Sequence, residues 1–138
     1  MTRSEPKYKF KQVMLIDDDS LDNFIHQKII EASFFSEKIF VNTGSKSALE
    51  FLSNLEVLGS QSISIFPEVI FVDLNMPIID GFQFLENFKT TLPEKFNTTK
   101  LILLTASIST SDKPKAASIS KEIKFIHKPL TQQALDQI

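Results

Sequence analysis

The chain has 138 residues, of which 42% are apolar and 23% charged, the balance of one globular domain rather than of a disordered or fibrous chain. The formal net charge of −2 offers no basic surface for nucleic acid, and the lack of cysteine excludes disulfides and thiolate chemistry. No apolar run reaches the ~20 residues of a membrane span. We therefore expect a cytoplasmic protein that binds neither a membrane nor, directly, nucleic acid.

Short apolar runs alternate with helical patterns along the chain. Residues 1–10 show no periodicity and are predicted to form a flexible tail, which leaves one domain at 11–138. Runs of strand length predict five strands, at 13–16, 39–41, 69–72, 101–104 and 123–126. Apolar residues at helical spacing predict five helices, near 20–32, 48–58, 81–92, 112–122 and 131–138. Pro93 is predicted to end the third helix, and the last helix is short or truncated.

The predicted strands are apolar on both pleat faces, which is typical of a parallel sheet covered by helices on both sides. The regular alternation of strands and helices indicates the same α/β architecture. Right-handed crossovers between parallel strands leave few possible topologies. The fold class is therefore predicted to be a doubly wound parallel sheet of five strands.

Acidic residues follow two of the predicted strands. Asp17, Asp18 and Asp19 come directly after the first strand, and Asp73 ends the third. Ligands of open parallel sheets bind at the carboxyl ends of the strands, and crowded carboxylates repel one another unless a cation binds them. Oxygen ligands alone favour Mg²⁺. The alternative is that the three consecutive acids only cap the helix after them, but a cap uses one side chain.

Two further polar residues follow strands at the same predicted edge. Thr105 ends the fourth run, and Lys128 comes shortly after the fifth. A hydroxyl and an ammonium beside a metal-binding carboxylate cluster suit a phosphoryl group, because the lysine neutralises oxygen charge and the hydroxyl donates a hydrogen bond.

Four segments together resemble the receiver domain of two-component response regulators, and in particular a single-domain chemotaxis receiver. They are LIDDD at 15–19, FVDLNMPIIDG at 71–81, LLTAS at 103–107 and FIHKPL at 125–130. The resemblance runs from about Lys11 to the end of the chain. It implies a flavodoxin-like sheet with strand order 2-1-3-4-5.

The resemblance also implies roles for the site residues. Asp73 would accept a phosphoryl group from phosphohistidine on a sensor histidine kinase or a phosphotransfer protein. Mg²⁺ would be bound by Asp18, Asp73 and the backbone carbonyl of Asn75, with Asp17 acting through water. Thr105 and Lys128 would bind the phosphoryl group, and the bond from Lys128 to Pro129 is often cis in the family.

Signalling would depend on a conformational switch at Thr105 and Phe125, read by a downstream protein whose identity the sequence does not reveal. Phe125 departs from the family, whose switch aromatic is often a hydroxyl-bearing tyrosine. The protein would not be an ordinary enzyme, since it would phosphorylate and dephosphorylate only itself.

Two other functions compete with this interpretation. Asp17 and Asp19, with Thr105 and Lys128, also resemble parts of an aspartate-nucleophile phosphatase of the haloacid dehalogenase type, although the acidic pair expected after the lysine is missing. A degenerate receiver that never accepts phosphate is the other alternative. The two histidines have no predicted catalytic role, with His26 expected on the surface and His127 partly exposed.

Overall fold

A computed structural model describes residues 7–59 and 65–138 of the chain. Within them the chain forms five strands and six helices, in this order: β1 (Phe10–Ile16), α1 (Ser20–Ala32), β2 (Ser36–Asn42), α2 (Ser45–Gly59), β3 (Val69–Asp73), α3 (Gly81–Thr91), α4 (Pro93–Thr98), β4 (Lys100–Thr105), α5 (Asp112–Ile119), β5 (Lys124–His127) and α6 (Gln132–Asp136). All strands are parallel, in the order β2-β1-β3-β4-β5. The predicted fold class and strand order are confirmed.

Helices cover both faces of the sheet and enclose two separate apolar clusters. On one face Met14, Ile70 and Leu103 pack with residues of α2, α3 and α5. On the other face Val13 and Phe71 pack with residues of α1 and α6. The central strands supply side chains to both clusters, which explains why their sequences are continuously apolar.

Several element bounds differ from the sequence prediction. β1 begins at Phe10, inside the predicted tail, and its first amide bonds to the carbonyl of Phe35 at 2.9 Å; residues 1–6 of that tail lie outside the described part. The third helix ends before Pro93 as predicted, but α4 was missed. It begins at Pro93 itself, because proline lacks only an amide hydrogen that the first helical turn leaves unbonded.

The inward face of α1 is also different from expectation. Asn23, His26 and Ile30 are its buried residues, whereas Leu21 and Phe24 are more than half exposed. The expectation that His26 lies on the surface was therefore wrong, since its side chain is 2% exposed.

Candidate functional site

The polar residues predicted to meet at one edge of the sheet do so because of the strand register. Ile16 of β1 pairs with Val72 of β3, and Asp73 pairs with Leu104 of β4. Thr105 pairs in turn with His127 of β5. Asp17, Asp73, Thr105 and Lys128 consequently lie side by side at the carboxyl ends of four neighbouring strands.

The three consecutive acids after β1 have different roles. Asp19 is the N-cap of α1, and its side chain accepts hydrogen bonds from the amides of Leu21 and Asp22. Asp17 and Asp18 instead join Asp73, with carboxylate oxygens of all three within 4.8 Å of one another. One of the three acids therefore caps the helix, and the other two lie close to Asp73.

The donor set of this pocket fits a hard divalent cation. It contains only carboxylate oxygens, Asp17 and Asp73 are buried, and Asp18 is exposed. The close carboxylates repel one another, and a divalent cation would convert that repulsion into attraction. Oxygen donors with one side open to water suit Mg²⁺, which retains several of its waters.

Lys128 is the cation that the pocket already contains. Its Nζ atom donates to Asp17 Oδ2 and Asp22 Oδ2, each at 2.8 Å, and lies 3.5 Å from Asp73 Oδ1. Burial opposes the charge, but the hydrogen bonds to the two nearer carboxylates raise the pKa of Lys128 above its ordinary value. The peptide bond to Pro129 is cis, as the resemblance implied.

Asp73 is 6% exposed, and its environment disfavours the charged form. Burial, and then the charge of Asp17, raise the pKa of Asp73 from 3.8 to about 6. Lys128 and a 3.3 Å hydrogen bond from the Asn75 amide act in the opposite direction. The side chain is therefore mostly ionised near pH 7, at a cost in stability.

Thr105 is fully buried, and its hydroxyl is engaged in a local turn. The hydroxyl donates to the carbonyl of Ser107 at 2.7 Å and accepts from the Ser107 amide at 3.2 Å. Donation of this hydroxyl to any other acceptor must break its bond to the Ser107 carbonyl. Thr105 thus connects the pocket to the start of the loop at 106–111.

Phe125 is only half-buried, packed at the margin of the cluster that contains Ala116 and Ile119. A surface cavity of about 410 Å³ lies between α5 and β5, and Phe125 lines it. The Phe125 ring is therefore partly exposed.

The loop after Asp73 shows what several residues of the FVDLNMPIIDG segment at 71–81 do. A Cβ atom on Gly81 would lie 2.7 Å from the carbonyl oxygen of Asp73 and 2.9 Å from Leu74 Cα, so a side chain would displace the backbone that holds the acceptor. Asp80 caps α3 in a capping box with Gln83. Ile78 has φ 69° and is almost fully exposed.

Sequence reasoning missed three residues around the pocket, all in α1. Asp22 binds Lys128, and the Asn23 amide group donates to the carbonyl of Asp17 at 2.9 Å. His26 lies one turn further along the helix; burial, and then the nearby charge of Lys128, lower its pKa. The sequence did contain a signal for Asp22, because it is an acidic residue in the first turn of the helix that follows the acidic run.

A parallel 2-1-3-4-5 sheet with a carboxylate cluster at its carboxyl edge defines a class of doubly wound α/β proteins. The sequence model of the response regulator receiver domain matches residues 13–138, and the chain belongs to that family. No curated protein matches the chain. Across the described residues, no helix is both long and apolar enough to cross a bilayer.

Solved structures share this fold. A two-component response regulator from Cytophaga hutchinsonii is 32% identical, with a TM-score of 0.82 and coverage of 92% of each chain. The chemotaxis protein CheY4 of Vibrio cholerae, at 19% identity, has a TM-score of 0.70 over 93% of this chain and 94% of that one. The Mg²⁺-complexed receiver domain of the histidine kinase CKI1 from Arabidopsis thaliana is 20% identical, with a TM-score of 0.74 and coverage of 90% and 87%.

The family and the position of Asp19 both argue against the phosphatase alternative. That reading paired Asp17 with Asp19 in one catalytic motif, but the Asp19 side chain caps α1. Receivers are signalling domains rather than conventional enzymes.

Proposed function

We propose that this receiver accepts a phosphoryl group on Asp73 in the presence of Mg²⁺. One observation carries the proposal: the buried Asp73 carboxylate shares a pocket with two further carboxylates and lies 3.5 Å from the ammonium of Lys128. The donor is phosphohistidine on a sensor histidine kinase or a phosphotransfer protein, and the setting is the cytoplasm. The phosphorylated form acts through contacts with a downstream protein rather than by binding nucleic acid itself.

In the transfer step an oxygen of Asp73 forms a bond to phosphorus while the bond from phosphorus to the donor histidine breaks. Asp17, Asp18, Asp73 and the carbonyl of Asn75 would hold Mg²⁺, with Asp17 acting through water, and the ion would offset the repulsion between carboxylate and phosphoryl oxygens. Lys128 supplies the fixed positive charge of the protein beside the acceptor. Beyond this compensation of charge, the protein acts by positioning the acceptor and the phosphoryl group.

The switch would begin at Thr105. Donation of its hydroxyl to the new phosphoryl group would break the 2.7 Å bond to the Ser107 carbonyl. The loop at 106–111 and α5 follow directly and would then change their average position. Phe125, without a hydroxyl and already half-buried, would move less than a tyrosine.

The test is incubation with acetyl phosphate and Mg²⁺, followed by intact mass measurement. A single acid-stable, base-labile adduct of one phosphoryl group is expected. Asp73→Asn should abolish it, and so should EDTA, whereas turnover without an adduct would indicate a phosphatase. Asp80→Asn is the matched control, because it makes the same chemical change seven residues further along the chain, at a helix cap that asparagine also satisfies.

An adduct of full size on the Asp73→Asn variant would show that another residue is the acceptor. Loss of the adduct in Asp80→Asn as well would show that the assay reports general damage to the loop.

A further inference from the structure

Asp22 contacts Lys128 as closely as any residue of the pocket does. Its Oδ2 atom accepts from Lys128 Nζ at 2.8 Å, equal to the distance from Asp17 and shorter than the 3.5 Å to Asp73. The ammonium therefore lies nearer to two flanking carboxylates than to the acceptor that it is expected to serve.

The backbone around Asp22 is held in place by hydrogen bonds. The Asp19 cap accepts from the Asp22 amide at 3.3 Å, and the Asn23 amide group ties α1 to the carbonyl of Asp17. These bonds anchor the start of α1 to the end of β1. Asp22 thus reaches Lys128 from a fixed turn rather than from a freely moving surface segment.

The two carboxylates that hold Lys128 differ in their access to water. The side chain of Asp17 is 2% exposed and that of Asp22 is 33% exposed. Release of the ammonium would leave Asp17 charged and buried, whereas Asp22 would regain water. Asp22 is accordingly the partner that Lys128 can give up at lower cost.

We propose that Asp22 is a positioning residue that holds Lys128 back from Asp73 and competes with the phosphoryl group for its ammonium. The proposal rests on the proposed function. In the resting protein the lysine is divided between Asp17 and Asp22. A phosphoryl group on Asp73 adds anionic oxygens beside it, and the lysine exchanges Asp22 for them.

The first measurement is the affinity for beryllofluoride, a phosphoryl mimic, determined by calorimetry with Mg²⁺ present. Asp22→Asn should tighten binding about three- to fivefold, the range expected for loss of a partly exposed ion pair. Asp22→Glu, which keeps the carboxylate, should restore an affinity near that of the wild type. Glu31→Gln is the matched control, because it removes one negative charge from the same helix where the partner is Lys28, at 3.6 Å.

The second measurement does not depend on phosphorylation. The rate of reductive methylation of Lys128, followed by peptide mass spectrometry, should rise about threefold in Asp22→Asn and stay unchanged in Glu31→Gln. Higher affinity without higher Lys128 reactivity would indicate simple charge repulsion by Asp22 and would overturn the proposal. So would unchanged values of both.

The two proposals can fail separately. If the wild type neither binds beryllofluoride nor forms an adduct with acetyl phosphate, the proposed function fails, and competition with a phosphoryl group fails with it. If the wild type does both and Asp22→Asn behaves like Glu31→Gln, only the role of Asp22 is wrong.

Discussion

Two regions of the molecule differ in the burial of their strands and in the capping of their helices. The acceptor region, which we define as β1, β3, α1 and α3, has every residue of β3 buried and side-chain caps at the start of both helices. The response region, defined as residues 106–127, contains a four-residue strand without a buried residue and an eight-residue helix without a side-chain cap.

This difference separates positioning from movement within one small domain. The carboxylates must keep their mutual geometry, and they end or directly follow strands that consist mostly of buried residues. The loop, α5 and β5 contribute few buried apolar side chains, chiefly Ala116 and Ile119, and such segments have the lowest free energies of local opening. Thr105 stands at the boundary, with its hydroxyl bonded to the first residues of the response region.

The largest expected effect comes from disturbing the acceptor region at Gly81. Gly81→Ala would press a methyl group against the backbone of Asp73 and Leu74. Overpacking of this kind should lower the free energy of unfolding by about 2–3 kcal/mol, measured by urea denaturation. Gly44→Ala is the control, since its nearest contact would be Ser47 Oγ at an ordinary 3.7 Å. Equal effects of the two substitutions would contradict the close approach at Gly81.

The next effect is a gain in stability from Asp73→Asn in metal-free protein. The pKa of Asp73 is raised from 3.8 to about 6. Between these two pH values the Asp73 side chain is therefore mostly protonated in the folded state and mostly ionised in the unfolded state. Above pH 6 the charge costs the fold roughly 2–3 kcal/mol. Asn should recover this at pH 8, and the gain should vanish as the pH falls below about 4. A gain that does not change with pH would exclude ionisation as its cause.

A smaller effect is expected from Mg²⁺ on the wild type. Binding to the folded state alone stabilises it by about 1.4 kcal/mol at ten times Kd, and calorimetry should show a rise in Tm. Asp18→Asn should greatly reduce the rise, because one of the three grouped carboxylates is lost. Glu31→Gln should leave it intact. A wild-type melting curve unmoved by millimolar Mg²⁺ would mean that the cluster is not a metal site.

The smallest effect tests the response region itself. Beryllofluoride should change hydrogen exchange mainly at residues 106–122, with little change at Phe125, while the amides of β3 stay protected. The reason is that this segment is held by the fewest buried side chains and joins the pocket through Thr105. Changes confined to α1 would contradict the division into the two regions.

Much of the fold was predictable because its central strands are buried on both faces. An apolar run such as 69–72 has few alternatives to a parallel strand covered by helices. The short helix α4 was not predictable in the same way, because Pro93 was interpreted only as a stop signal although it also begins helices. The helix predicted near 112–122 is present as α5, although it is shorter than expected, at Asp112–Ile119.

The sequence by itself placed the acids, the threonine and the lysine at the carboxyl edge, because each of them ends or closely follows a predicted parallel strand. The order of the strands, which makes these residues neighbours, was implied only by the resemblance. Only the tertiary structure decided how α1 is turned. Periodicity treats asparagine and histidine as outward residues, but Asn23 bonds to the end of β1 and His26 is buried behind it, leaving Leu21 and Phe24 in solvent. A hydrogen bond to a neighbouring backbone can outweigh an apolar stripe, and no pattern within one helix reveals that partner.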